Sequence, residues 1–371
     1  MNKSPLCYGG GIMGSILCHL PLLPYDGVPM ISPVPKADTP NPADGQIVMV
    51  ADDIWWIRMP LPFRLNHVNL YVLRAQDGLT VIDTGIYSKQ TGDIWQRLLL
   101  AAPFTDYPIR RILVTHHHPD HIGYAADLAE MTGAEVLMSQ IEYEKSNLLT
   151  KMDDDVFAKM MFSRYQGYGL GDDALSALTD RGNHYSEKIE ELGAVRYVGA
   201  GDTLSGLHGN WQVRCDRGHS DDHIGLYDPM RRIYLSGDFL LPRITPNIAS
   251  PLGSVADDML GHYFGYLADM LTWGDDWLVL PGHDWAFHAL STRAGNLITH
   301  HQDRLTQLLD RADQGPITVK DAMDTLFAIE LNEHERYFAS GEAHAHLYHL
   351  VQQKTMIAET TSDGMTRYHL A

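Results

Sequence analysis

Apolar residues recur with two different periods along this chain, and the changes between them outline a fold. Strand-like runs occur at Gln46–Ala51, Ile54–Met59, Val68–Leu73 and Leu79–Ile82. A helical pattern follows around Gly92–Ala101, then an apolar run at Ile112–Thr115 and a second helical pattern near Ala125–Met131. Ile224–Tyr227 and Ile233–Leu235, separated by Asp228-Pro229-Met230-Arg231-Arg232, read as a hairpin. Strands first, then alternating strands and helices, predict a mixed α/β (α+β) domain in which sheets are covered by helices.

Two stretches break this pattern. Residues Gln140 to Leu192 are rich in Met, Tyr and charge, and their apolar spacing predicts an insertion of two or three helices. Beyond position 289, helices are predicted at Leu290–Ala312, Thr318–Ile329 and Gly341–Lys354. A hairpin, Met356–Glu359 with Thr366–Leu370, turns at Thr361-Ser362-Asp363-Gly364. The chain thus divides into a tail and linker (1–44), a main domain (45–289, with the insertion at 140–192) and a C-terminal helical module (290–371). The linker, Pro29 to Gly45, holds five prolines. Ahead of it, the apolar run from Ile12 to Leu23 is interrupted by His19 and Pro21 and is too short to span a membrane. It lacks a small-residue cleavage site, so export is the minority reading and the cytoplasm the expected location.

Composition narrows the class. In 371 residues, 44% hydrophobic and 20% charged content fit a soluble globular enzyme. A net charge of −19 argues against a general nucleic-acid binder, so neither nucleic acid nor membrane is expected as a partner. Cys7, Cys18 and Cys215 make no disulfide framework and no C-x-x-C pair, which fits a reducing compartment.

The chemistry concentrates where Ile112-Leu113-Val114 runs into Thr115-His116-His117-His118-Pro119-Asp120-His121-Ile122-Gly123. His116, His118, Asp120 and His121 form H-x-H-x-D-H, a set of nitrogen and oxygen donors suited to borderline divalent metals. In an extended segment, residues two apart point the same way, so His116 and His118 can hold one ion. Pro119 keeps His118 extended, and a turn there lets Asp120 and His121 face a second ion. His117 points away in this scheme. Three further apolar runs end on candidate ligands beside glycine: Gly218-His219-Ser220, Ser236-Gly237-Asp238 and Pro281-Gly282-His283. Glycine there permits close backbone approach to an ion.

This series of motifs, in this order, resembles the metallo-β-lactamase-fold hydrolase superfamily over roughly Gln46 to His283. Val81-Ile82-Asp83-Thr84-Gly85 is similar to that superfamily's early strand-end aspartate motif. The resemblance implies an αββα sandwich and two divalent metal ions, zinc first, with iron or manganese as alternatives. It implies His116, His118 and His219 on the first ion, Asp120, His121 and His283 on the second, and Asp238 bridging both. Asp83 would orient the ligand loop from behind, and His223 would support the site rather than bind metal. Asp120 and Asp238 are the expected catalytic carboxylates. A metal-bridging hydroxide would attack substrate without a serine or cysteine nucleophile.

True zinc β-lactamases lack an aspartate of the Asp238 type, and persulfide dioxygenases keep a single iron, so both recede. Pro60-Leu61-Pro62-Phe63-Arg64-Leu65-Asn66-His67-Val68-Asn69 resembles the start of uncharacterised bacterial hydrolases of the glyoxalase II and lactonase branch. The leading expectation is cleavage of an activated carbonyl in a small acyl substrate: a thioester, lactone or ester. The runner-up is a phosphodiesterase or ribonuclease, and a DNA-binding regulator ranks third. The insertion is expected to act as an apolar lid, with Tyr165 and Tyr168 contacting substrate; packing of the insertion on the domain is the equally weighted plainer reading. The C-terminal helices and hairpin resemble a winged-helix-like module, but eleven acidic against seven basic residues there disfavour DNA. His344, His346 and His349 are expected at that helix's surface and interface. Homo-oligomerisation is left open.

Overall fold

A computed structural model describes residues 33–62, 65–171, 183, 185–250, 257–327, 331 and 333–371. The N-terminal apolar run, part of the insertion and the end of the helix expected to reach Ile329 lie outside the described residues. No helix among the described residues is long and apolar enough to cross a membrane.

Seven strands form the first sheet in sequential order: β1 (Ile47–Ala51), β2 (Ile54–Pro60), β3 (His67–Ala75), β4 (Gly78–Ile82), β5 (Ile109–Leu113), β6 (Glu135–Met138) and β7 (Val195–Tyr197). The second sheet has the order β12-β11-β10-β9-β8, built from β8 (Thr203–Ser205), β9 (Asn210–Asp216), β10 (His223–Asp228), β11 (Ile233–Gly237) and β12 (Leu278–Pro281). β10 and β11 pair antiparallel, Leu226 opposite Leu235, as the hairpin reading expected.

Alternation assigns each strand's residues to two layers. In β3, Val68, Leu70 and Val72 face the outer core, where α1 (Lys89–Leu98) and α3 (Ala125–Thr132) pack. Tyr71 and Leu73 face inward and meet Trp211, Val213, Leu226 and Leu235 of the second sheet. A strand buried on both faces must be apolar at nearly every position, which is why β3 and β4 read as continuous apolar runs. On the far side, α6 (Met259–Met270) and the first half of α7 (Leu290–Ala312) cover the second sheet through Leu260, Tyr263, Leu267, Leu290, Ala294 and Leu297. This is the expected αββα sandwich.

The insertion carries α4 (Gln140–Thr150) and α5 (Asp154–Gly167). The C-terminal residues form the second half of α7, α8 (Val319–Leu326), α9 (Glu333–Gln352) and the hairpin β13 (Met356–Thr360) with β14 (Thr366–Leu370). α9 begins eight residues before the expected Gly341. A separate apolar core joins Met161, Tyr165 and Tyr168 to Leu308, Ala312, Ala322, Leu347, Met356 and Tyr368. The insertion and the C-terminal module therefore share one interior.

Candidate metal centre

The ends of β4, β5, β11 and β12 lie at one edge of the sandwich, with the loop between β9 and β10 beside them. Backbone bonds stitch the two sheets there: Ile224 N–H donates to Thr115 O at 2.9 Å, and Asn69 N–H to Gly282 O at 2.7 Å. His118 is extended (φ −63°, ψ 141°), and Pro119 opens the short helix α2 (Pro119–Ile122), which turns Asp120 and His121 inward.

Three overlapping donor groups result: His116, His118 and His219; Asp120, His121 and His283; and His116, His121 and Asp238. His121 Nε2 stands 3.6 Å from Asp120 Oδ2 and 3.5 Å from Asp238 Oδ1. His219 Nε2 and His283 Nε2 lie 3.5 and 3.2 Å from Asp238 Oδ2, and His283 Nε2 is 3.5 Å from Asp120 Oδ2. Ligands about 2.0–2.2 Å from a tetrahedral ion are about 3.3–3.5 Å from one another, which matches these separations. His116 Nε2 and His118 Nδ1 are closer, at 2.9 Å.

The reverse side of each ring fixes which nitrogen faces inward. His121 Nδ1–H donates to Asp83 Oδ2 at 2.8 Å, His219 Nδ1–H to Asn247 O at 3.0 Å, and His283 Nδ1–H to His67 O at 2.8 Å. The Thr115 hydroxyl donates to Asp83 Oδ2 at 2.8 Å, so its oxygen accepts from His116 Nδ1–H at 2.9 Å. With their outer nitrogens protonated, His116 and His219 each present an Nε2 lone pair to the centre, and His121 and His283 would do so once an ion displaces the proton there. Among the described residues, His121 Nε2, His219 Nε2 and Asp238 Oδ1 are buried and find no hydrogen-bond partner. Such orphaned acceptors cost stability unless a cation completes them, so these residues fit the expected metals.

Two backbone features permit the approach. A Cβ on Gly282 would stand 2.2 Å from Asp238 Oδ1. Asp83 holds a left-handed φ of 60° while buried, kept there by Thr115 N–H at 2.7 Å and by the His121 ring. His223 accepts Asp238 N–H at Nε2 (3.2 Å), so it supports the bridging carboxylate's backbone.

The two halves of the centre differ electrostatically. Burial pushes His116, His118 and His219 below the usual histidine pKa, so they are neutral ligands. Burial acts the same way on His121 and His283, but Asp238 and Asp120 outweigh it and raise both. Burial would raise Asp238, yet His283 and His121 hold it well below the usual carboxylate range. A cation entering the second half displaces protons.

Other sequence readings land elsewhere. Tyr165 and Tyr168, expected at the substrate, are buried in the core shared with the C-terminal module. Tyr168 stacks on His344, and its hydroxyl accepts from Arg164 Nε at 2.8 Å. Both rings therefore pack in that core. His346 and His349, expected partly at the surface, are buried. His117, set aside earlier, is buried and bonds Glu142. Glu142 and Thr115 were not anticipated. Glu142 carried a signal, but a misleading one: Ser139-Gln140-Ile141-Glu142 has the form of a helix capping box.

A fourth group, His301, Glu342 and His346, also converges, between α7 and α9. Here the carboxylate already has a cation: Arg304 Nη1 lies 2.5 Å from Glu342 Oε1. A divalent ion would leave about two uncompensated buried charges, so this cluster is a polar core rather than a metal site.

Comparisons agree with the geometry. A model of the metallo-beta-lactamase superfamily matches residues 64–291, and one of a metallo-beta-lactamase-like C-terminal domain matches residues 305–371. The chain belongs to the metallo-β-lactamase superfamily and, with the His/Asp clusters above, is a metallo-hydrolase of it. It is similar to a β-lactamase domain protein from Burkholderia ambifaria (32% identity, 91% of this chain and 98% of that one, TM-score 0.81). The probable metallo-hydrolase YqjP of Bacillus subtilis (strain 168) is 25% identical over 305 residues, covering 81% of this chain and 92% of that protein. The metallo-β-lactamase family protein TTHA1429 from Thermus thermophilus shares the fold (24% identity, 86% of this chain and 99% of that one, TM-score 0.72).

Proposed function

We propose that this chain is a dinuclear metal-dependent hydrolase that cleaves an activated carbonyl in a small acyl substrate: a thioester, lactone or ester. The observation that carries the reading is the set of four histidines whose outer nitrogens are tied to oxygens, leaving their Nε2 atoms around two buried carboxylates. Two divalent cations, when bound, supply Lewis acidity and an ionised water near neutral pH. Zinc suits this mixed nitrogen and oxygen set, and iron or manganese would accept it too.

The chain's own groups do the rest. His116, His118 and His219 would hold one ion, Asp120, His121 and His283 the other, with Asp238 between them. Asp83 and Thr115 keep the rings from turning. Burial of the donors limits bulk water at the reacting face. Cys215 offers no competing nucleophile, because burial and the nearby Asp222 and Asp216 push its thiol up to about 12. A net charge of −19 repels polyanions and favours the acyl substrate over nucleic acid.

A panel of acyl-CoA, acyl-glutathione, lactone, ester and bis-p-nitrophenyl phosphate substrates tests this. Turnover of a carbonyl substrate that is lost on chelation and restored by zinc is expected. Strong turnover of the phosphodiester alone would favour the superfamily's phosphodiesterases instead.

A further inference from the structure

We infer that Glu142 is the positioning residue for the first metal ion, holding together the two loops that carry its three histidines. The inference rests on the dinuclear reading above. Glu142 lies in the first turn of α4 and is fully buried. Its Oε2 accepts from His117 N–H at 2.9 Å and from His117 Nδ1–H at 2.5 Å. Its Oε1 accepts from Asp222 N–H at 2.6 Å. His117 stands between His116 and His118; Asp222 is on the His219 loop, just before His223. One carboxylate therefore ties the two histidines of one loop to the third on another.

The link is the second of two. Ile224 N–H to Thr115 O joins the same loops on the other side. One attachment leaves the loops free to twist about it, and a second fixes the angle at which three imidazoles meet. Tyr185 reinforces this by donating its hydroxyl to His117 O at 2.5 Å. Asp120 and His121 are instead held through Asp83, and His283 through His67 O. None of those contacts passes through Glu142, which reaches the second ion only indirectly, through Asp222, His223 and the Asp238 backbone, so its larger effect falls on the first ion.

Glu142→Gln keeps the shape but turns one accepting oxygen into a donating amide. That amide must face either Asp222 N–H or His117 N–H, so one link is lost. Stepwise Co(II) titration of the metal-free protein, read by visible absorption and chelator competition, follows each ion separately. Circular dichroism checks the fold. Outer contacts of metal ligands are typically worth 10–100-fold in affinity. Glu142→Gln should weaken the three-histidine site by about that factor and leave the other within about twofold. His117→Asn, which removes only the ring contact, should give a smaller loss at the same site, and it decides the matter if Glu142→Gln does not fold. Unchanged affinity at the three-histidine site, or equal weakening of both sites, would overturn the inference. Failure of the wild-type chain to bind two ions would instead overturn the dinuclear reading.

Discussion

Two buried histidine clusters sit among the described residues, and different charge surroundings separate them. At the strand ends, the ion-pair partners of Asp120 and Asp238 among the described residues are all histidines. Between α7 and α9, His300, His301 and His346 adjoin Arg304, which is matched to Glu342. The first cluster has negative charge to spare and the second has none. Histidine density alone does not make a metal site; a surplus of buried carboxylate does.

The largest test removes that surplus. Asp238→Ala takes away the carboxylate proposed to lie between the two ions. Metal content should fall below two ions per chain and kcat/KM by more than about 100-fold, beyond what outer contacts alone contribute. A folded variant retaining both ions and full turnover would erase the contrast. The opposite change is Arg304→Met, which strips the second cluster of its cation and leaves Glu342 buried and unpaired. A loss of about 3 kcal/mol in urea unfolding is expected, with metal content unchanged.

How far the sequence could anticipate this depends on the reach of each contact. Local alternation and H-x-H-x-D-H made the layers and most donors readable, because strand ends and glycines are short-range signals. Glu142 was not readable: its partners lie 25 and 80 residues away, and the helix start beside it offered a complete local explanation. Tyr165 and Tyr168 were placed at the substrate because nothing near them in the chain reveals that Leu308 and Tyr368 cover them. α9 misled in a similar way. Its Gly-Glu-Ala-His-Ala-His stretch reads as part surface and part interface, yet Glu342, Ala343, Ala345 and His346 are all buried.

Acid sharpens the comparison. Burial holds His300 down to about 2, His346 to about 3 and His301 well below the ordinary value. The unfolded chain takes up these protons below about pH 6.5 and the folded chain does not, so this stability is complete above pH 6.5 and drains away as pH falls toward 3. Each such histidine contributes up to about 1.4 kcal/mol per pH unit in that window. His346→Leu should flatten the decline measured by urea unfolding between pH 6.5 and 5 by up to that amount. An unchanged slope would mean that His346 is not held neutral.

The smallest effect concerns the insertion. Tyr168→Phe removes one hydrogen bond, from Arg164, and should cost about 1 kcal/mol of stability while kcat/KM stays within about twofold. A drop of tenfold or more in kcat/KM would return Tyr168 to the substrate.

Helix α7 has a further consequence. The superfamily match stops at 291 and the C-terminal match starts at 305, and the 23-residue helix Leu290–Ala312 runs unbroken through the gap. Its early residues Ala294 and Leu297 lie against the second sheet, while Leu308 and Ala312 lie in the core shared with α5. The helix crosses the seam between the two matches as a strut. Cutting the gene at that seam would not yield two autonomous products: the catalytic half would keep α5 with its apolar face bare, and the other half would lose the beam on which it is built.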